Sequence, residues 1–406
     1  MTGPKARMVP EDAQPSVKTQ LAVFGAGLFA NSSQTMISVI LPLWLVALGH
    51  SPFLMGIVLG ARSILPLIFS IHGGALMDRF GTRRIMLGCA VVSAVIPLLY
   101  PMSIWTWALF LLQMVVGLTA TLNWMGAQTL IGQLMKGSPV YAGRLTFSSR
   151  IGQLAGPPIV GLFWDLTGAW GAFLFLAFWG ACGVAACLLL PDIGKADRGP
   201  PRRVVITELL PRIADYRETF LLLRNPAILV IVASSMLSVA GNGIQSSFYV
   251  VYLEGIGFSG TLIGLLLSAM STFGLAGALM VGIVTRIGNP MTLLVLIVIA
   301  EVVAIAVTPL FHLLTPLFIL IAFRGFFAGV AHPLTVANLG HGAEANAQGK
   351  AVGLRTTANR LTGLVTPILM GSIVEVVGLD LSFYVTGGII ILMLACFLPM
   401  ASRTGR

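Results

Sequence analysis

The chain of 406 residues is 57% hydrophobic and only 9% charged, with a mean hydropathy of +0.94. Soluble domains carry about 25% charged residues, so this composition excludes an ordinary water-solvated globule. The net charge of +10 does not signal nucleic acid, because the basic residues lie between apolar stretches, where they set membrane orientation.

Residues 1–18 form a polar tail. A bilayer core about 30 Å thick needs roughly 20 apolar residues in helix, with every backbone amide satisfied inside the segment. Runs of that kind begin near Gln20, Leu54, Ile85, Thr106, Leu145 and Gly171. The first is too long for the core of a cleaved signal peptide and is expected to remain. A polar stretch over 191–225 follows, holding Lys195, Arg198, Arg202, Arg203, Arg212, Arg217 and Arg224. Six further runs begin near Pro226, Thr261, Met291, Pro316, Gly353 and Ser382. The expected product is an all-α polytopic membrane protein with twelve transmembrane helices. It divides into a six-helix bundle over 19–190, a basic linker over 191–225, a second bundle over 226–401 and a tail over 402–406.

Cys89, Cys182, Cys187 and Cys396 each lie inside an apolar run without paired or metal-type spacing, so they read as packing residues. Twenty of the 24 Lys and Arg residues fall in the termini and alternate connections that share one side of the membrane. Arg62, Arg150, Arg324 and Arg360 lie within helices, and the opposite loops hold no cation, only Asp165, Glu254, Glu375 and Asp380. Basic segments are retained in the cytoplasm during insertion, which places both termini there, in a cytoplasmic (inner) membrane.

The halves repeat each other. At an offset of 208, Leu45, Gly49, Ser51, Leu54, Gly56 and Gly74 meet Leu253, Gly257, Ser259, Leu262, Gly264 and Gly282. At 210, Gly143, Arg150, Pro157, Gly161 and Gly168 meet Gly353, Arg360, Pro367, Gly371 and Gly378, and Asp165 meets Glu375. Loops match as well as helices, so hydrophobicity alone does not account for it. Two parallel six-helix repeats suit a transporter that rocks one half against the other about a site near the midplane.

The loop after the second run reads Gly74-Ala-Leu-Met-Asp78-Arg79-Phe-Gly81-Thr-Arg83-Arg84. It is similar to the signature G-x-L-x-D-R-x-G-R-R of the major facilitator superfamily, and the resemblance covers nearly the whole chain. Gly81 permits a sharp turn, and Asp78 is suited to accept from a helix amino terminus. The resemblance implies that its partner is the start of the eleventh helix, near Gly353, and that Gly74, Asp78, Arg79, Gly81, Arg83 and Arg84 form a conformational latch. The plainer reading of the arginines is that they mark the cytoplasmic side. In the fifth run, Gly152-Gln-Leu-Ala-Gly156-Pro157-Pro158-Ile-Val-Gly161 resembles the family's G-x-x-x-G-P-x-x-G-G, echoed by Gly363, Pro367 and Gly371 in the eleventh. Small residues four apart allow close helix approach and Pro bends a helix, so Gly152, Gly156, Pro157, Gly161, Pro367 and Gly371 are expected to serve as hinge or packing positions. In relatives this element is associated with antiport.

A charge at mid-bilayer costs at least about 2.5 kcal/mol and usually faces a cavity. Arg62 and Arg324 each lie eight residues into their helices, near the midplane, while Arg150 and Arg360 lie close enough to the helix ends to snorkel. Glu301, ten residues into the ninth run, and His332 in the tenth are candidates for proton coupling, against a structural role for each. In the family, helices 1, 4, 7 and 10 line the central cavity. With the two deep arginines, this implies a site containing Arg62, Arg324, Asn31, Gln34, Asn123, Trp124, Asn242, Gln245 and His332. Two arginines among neutral donors favour an anionic solute, because the guanidinium fork binds carboxylate or phosphate bidentately.

No phosphate-binding G-x-x-x-x-G-K-[ST] loop, nucleophile elbow or metal-ligand cluster is present. The expectation is therefore a secondary transporter and not an enzyme, without cofactor or metal. It would take a small organic solute, anionic or amphipathic, with a coupling proton or ion, and work as a monomer in the lipid bilayer. Proton-driven multidrug efflux and a non-transporting receptor or assembly factor on the same scaffold are the alternatives.

Overall fold

The computed structural model describes residues 15–191, 220–342 and 348–404, and every element described is helical. The elements are α1 (Val17–Ala47), α2 (Pro52–Ala61), α3 (Ile64–Phe80), α4 (Thr82–Leu99), α5 (Thr106–Met135) and α6 (Pro139–Leu188). The second half holds α7 (Pro226–Ile244), α8 (Val250–Gly255), α9 (Gly260–Val284), α10 (Pro290–Ala306), α11 (Leu314–Gly342), α12 (Gln348–Val377) and α13 (Leu379–Thr404). Among the described residues, ten helical stretches are long and apolar enough to cross a bilayer. One of them, α6, is 50 residues long and kinks at Gly168 (φ 67°, ψ −161°) into two limbs, and α10, at 17 residues, is a shorter apolar helix. Twelve membrane-crossing segments result. The predicted second span is α2 and α3 together, interrupted at Arg62 and Ser63. The seventh is α7 and α8 joined by a π-helical turn, Gln245–Tyr249.

Local chemistry starts the helices. Ser16, Ser51 and Ser259 accept at their side chains from the amides of Thr19, Leu54 and Leu262, while Asn225 and Asn289 accept from Ala227 and Met291. Pro52, Pro226 and Pro290 follow directly, where the lost N–H has no intrahelical partner to forgo. Ser51 and Ser259 occupy equivalent positions of the two repeats, and so do the left-handed turn glycines Gly49 (φ 71°) and Gly257 (φ 89°). The duplication read from the sequence thus extends to turn conformation.

The two halves meet along two pseudo-symmetric seams, α2 against α12 and α6 against α9. A methyl built at Gly56 would stand 2.3 Å from the Pro367 carbonyl oxygen, and one at Gly264 would stand 2.3 Å from that of Pro157. One at Gly371 would stand 2.4 Å from the Pro52 carbonyl oxygen, and one at Gly161 2.1 Å from that of Gly260. Backbone therefore touches backbone across both seams, which only glycine permits. Nearer the termini, a Cβ at Gly74, Gly282, Gly143 or Gly353 would meet nothing within 4 Å among the described residues.

Helix α13 continues to Thr404, past the expected end of the second bundle. Most of the expected tail and linker, residues 1–14 and 192–219, lies outside the described residues.

Candidate functional site

Between the halves lies a cavity of about 340 Å³, walled by α1, α2, α5, α7, the π turn, α9 and α12. Its polar lining includes Gln34, Ser38, Arg62, Gln113, Asn242 and Gln245, and none of the lining residues is acidic. Arg62 enters it because α2 stops there: Gly117 of α5 packs so closely on the Arg62 backbone that a Cβ would fall 1.9 Å from its carbonyl oxygen. Its guanidinium Nη1 donates to Ser38 Oγ at 3.1 Å, and among the described residues it has no carboxylate partner. The charge of Arg360 acts on it from α12.

Gln245 opens the π turn, a local widening of the helix often found at functional sites. It is 3% exposed, and among the described residues neither Oε1 nor Nε2 has a hydrogen-bond partner, although the side chain lines the cavity. An unpaired buried amide of this kind costs about 1–3 kcal/mol per group.

Arg324 is placed differently from its expected position on the cavity surface. It is 1% exposed and stands behind the wall, with Nη2 donating to Asn242 Oδ1 at 3.0 Å and to Glu301 Oε1 at 3.4 Å, and Nη1 directed at the Met270 sulfur at 3.3 Å. Ser238 Oγ donates to the other Glu301 oxygen at 2.9 Å. The cation is thus compensated, and it reaches the cavity only through Asn242 and Met270, both of which line it.

The remaining sequence candidates scatter. Asn123 lines a second, smaller cavity of about 40 Å³ inside the first half, shared with Gln34, and its Oδ1 is unpartnered. Trp124 packs against an apolar cluster of that half, and Asn31 is half-buried on α1 outside both cavities. His332 is exposed on α11, with the charges of Arg355 and Arg150 acting on it. Arg150 itself donates to Gln153 Oε1 at 3.1 Å. Ser38, Ser63, Met270 and Ser271 also line the cavity and were not among the expected residues. Ser38 falls one turn beyond Gln34 on the same face of α1, a spacing the sequence already contains.

In the expected latch loop, Gly81 takes φ 95° between α3 and α4, the left-handed turn its position requires. Arg83 donates to the Leu188 carbonyl at 2.9 Å, Arg79 lies over the Phe80 ring at 5.4 Å, and Arg84 is exposed. The side chain of Asp78 lies outside the described residues. Of the fifth-span glycines, Gly152 and Gly156 face Ser32 and Met36 of α1, whereas Pro157 and Gly161 belong to the seam with α9.

The family model for the Major Facilitator Superfamily matches residues 23–322 and 231–405. Among solved structures, a mutant of the nucleoside transporter NupG superposes with a TM-score of 0.80 at 15% identity, over 95% of this chain and 100% of that one. A mutant of the peptide transporter POT gives 0.78 at 16% identity, over 97% of each chain. A bacterial homolog of the human lysosomal transporter Spinster, in an inward-facing and unoccupied conformation, gives 0.71 at 16% identity over 95% of this chain and 97% of that one. At such identities the likeness concerns the fold.

Proposed function

The chain belongs to the major facilitator superfamily, and from that premise we propose that it is a secondary transporter that moves a small organic anion by alternating access. The observation that carries the solute class is Arg62. It is a cation without a carboxylate partner among the described residues, in a cavity with no acidic lining, and Arg360 reinforces its field. A carboxylate or phosphate would receive two parallel hydrogen bonds from the guanidinium. Arg150 and Arg355 extend the positive character toward the end bearing the termini. That end is taken as cytoplasmic, in the inner membrane, with 19–190 and 226–401 as the moving bundles and 191–225 as their tether. Asp78 would latch onto the start of α12 when the cytoplasmic end closes.

Uptake of a panel of carboxylates into proteoliposomes, with and without a pH gradient, tests this reading. Saturable carboxylate flux whose apparent affinity Arg62→Gln weakens is expected. Resistance to lipophilic drugs that tracks expression, with no carboxylate flux, would replace the reading with multidrug efflux.

A second element of the reading is proton coupling through Glu301. The chain Glu301–Arg324–Asn242 connects a buried carboxyl to the cavity wall, so solute and proton could each change the other's partner. A Glu301→Gln variant that still exchanges solute but no longer responds to a pH gradient would support it, and an unchanged gradient response would remove it.

A further inference from the structure

Two carboxylates that lie at equivalent positions of the repeats bridge the seams at the end away from the termini. Asp165, on α6 four residues past Gly161, accepts from the backbone amides of Gly260 at 2.7 Å and Thr261 at 2.8 Å, and from the Thr261 hydroxyl at 2.5 Å. Glu375, on α12 four residues past Gly371, accepts from the Phe53 amide at 3.0 Å. Phe53 and Thr261 are themselves equivalent at the 208-residue offset, as Asp165 and Glu375 are at 210. Each half therefore ends one seam helix in a carboxylate that caps the first turn of a helix in the other half.

We infer that Asp165 and Glu375 are twin gate residues of the transport cycle, holding the cavity shut on the side away from the termini. The inference rests on the alternating-access reading above. The first amides of a helix have no intrahelical acceptor and carry the positive end of its dipole, so these caps exist only while the seams are closed. Beneath the Glu375 cap, glycine contacts run from the cavity along the α2–α12 seam, Gly363 against Ser63, Gly60 against Leu364, then Gly56 and Gly371, and beneath the Asp165 cap Gly161 meets Gly260 and Gly264 meets Pro157. Each cap therefore closes its own seam. The two caps are unequal for a definite reason. Pro52 stands where Gly260 stands in the other repeat, and its missing N–H leaves Glu375 one amide where Asp165 has two and a hydroxyl. Asp165 is accordingly the stronger gate.

The test uses the full chain without its four native cysteines, carrying Ser271→Cys in the cavity wall, in oriented proteoliposomes with a membrane-impermeant maleimide. In this parent, labelling is expected from the side of the termini and to be slow from the other. Asp165→Ala with Glu375→Ala should speed labelling from the far side by about tenfold or more and slow it from the side of the termini. A loosened or misfolded protein would instead react faster from both. Asp165→Ala alone should shift the ratio more than Glu375→Ala alone, and Asp165→Asn, which keeps an acceptor oxygen, should fall between Asp165→Ala and the parent. Side-restricted labelling that the double variant leaves unchanged overturns the gate. A parent labelled equally from both sides overturns alternating access itself.

Discussion

Arg324 and Glu301 form an ion pair at 3.4 Å with side chains 2% and 0% exposed, one helix layer behind the cavity. Taking two charges out of water is costly, and removing either partner leaves the other uncompensated at about 3–5 kcal/mol, whereas replacing both with apolar groups of similar volume is often neutral or better. Arg324→Met alone is therefore expected to lower the melting temperature of the purified protein steeply, and Arg324→Met with Glu301→Met to recover most of it. A double variant as unstable as the single would show that the pair is not what holds this layer.

Arg62 faces a different balance, because it is open to the cavity and, among the described residues, donates only to Ser38. Removing its charge with Arg62→Gln should leave the melting temperature nearly unchanged. Binding of a carboxylate substrate should weaken by about 10–100-fold, the equivalent of one charge-assisted contact of about 1.5–3 kcal/mol. Arg360→Gln, which acts only through its field, should cost markedly less. Equal losses in isothermal titration would refute the assignment of Arg62 as the anion contact.

Gln245 carries two unpaired amide atoms in a buried position. Gln245→Met keeps the volume and removes both, so stability should hold or rise by about 1 kcal/mol, while solute affinity drops because the cavity loses a donor and an acceptor. A fall in stability together with unchanged affinity would mean that the amide serves the fold.

Gly56 approaches the Pro367 carbonyl within a distance that no side chain allows. Gly56→Ala should block closure of the α2–α12 seam and cut transport at least about tenfold while the protein still reaches the membrane. Gly88→Ala, at a site where a Cβ meets nothing within 4 Å, should transport normally. Equal activity of the two in the same uptake assay would show that the seam need not close tightly.

Much of the architecture is legible from local chemistry. Hydrophobic runs of bilayer length, Ser or Asn caps followed by Pro, and glycines repeated at 208 and 210 residues specify the spans, their starts and their duplication, because each depends on neighbours within a turn or two. The break at Arg62–Ser63 and the π turn at Gln245 were not legible. Both lie inside stretches that read as single spans, and the first is placed by packing, with Gly117 against the Arg62 backbone. The cavity residues were read in part for the same reason. Helix choice singled out Gln34, Asn242 and Gln245, while Asn31 on α1 and Asn123 and Trp124 on α5 turn toward other surfaces.

Two arginines at the same depth illustrate where sequence stops. From one dimension Arg62 and Arg324 are equivalent, eight residues into apolar helices. Depth and cost of burial follow from hydropathy alone, so the sequence by itself determined that both had to find a partner or a cavity. Which found which was decided in three dimensions: Glu301, 23 residues away along the chain, comes within reach of Arg324, and among the described residues no acid pairs with Arg62. The same holds for Asp165 and Glu375, whose register is written in the repeat but whose partners lie 95 and 322 residues away. Hydrogen bonds and Coulomb energy depend on distance through space, and only tertiary packing sets that distance, within the second bundle for Arg324 and Glu301 and between the bundles for Asp165 and Glu375.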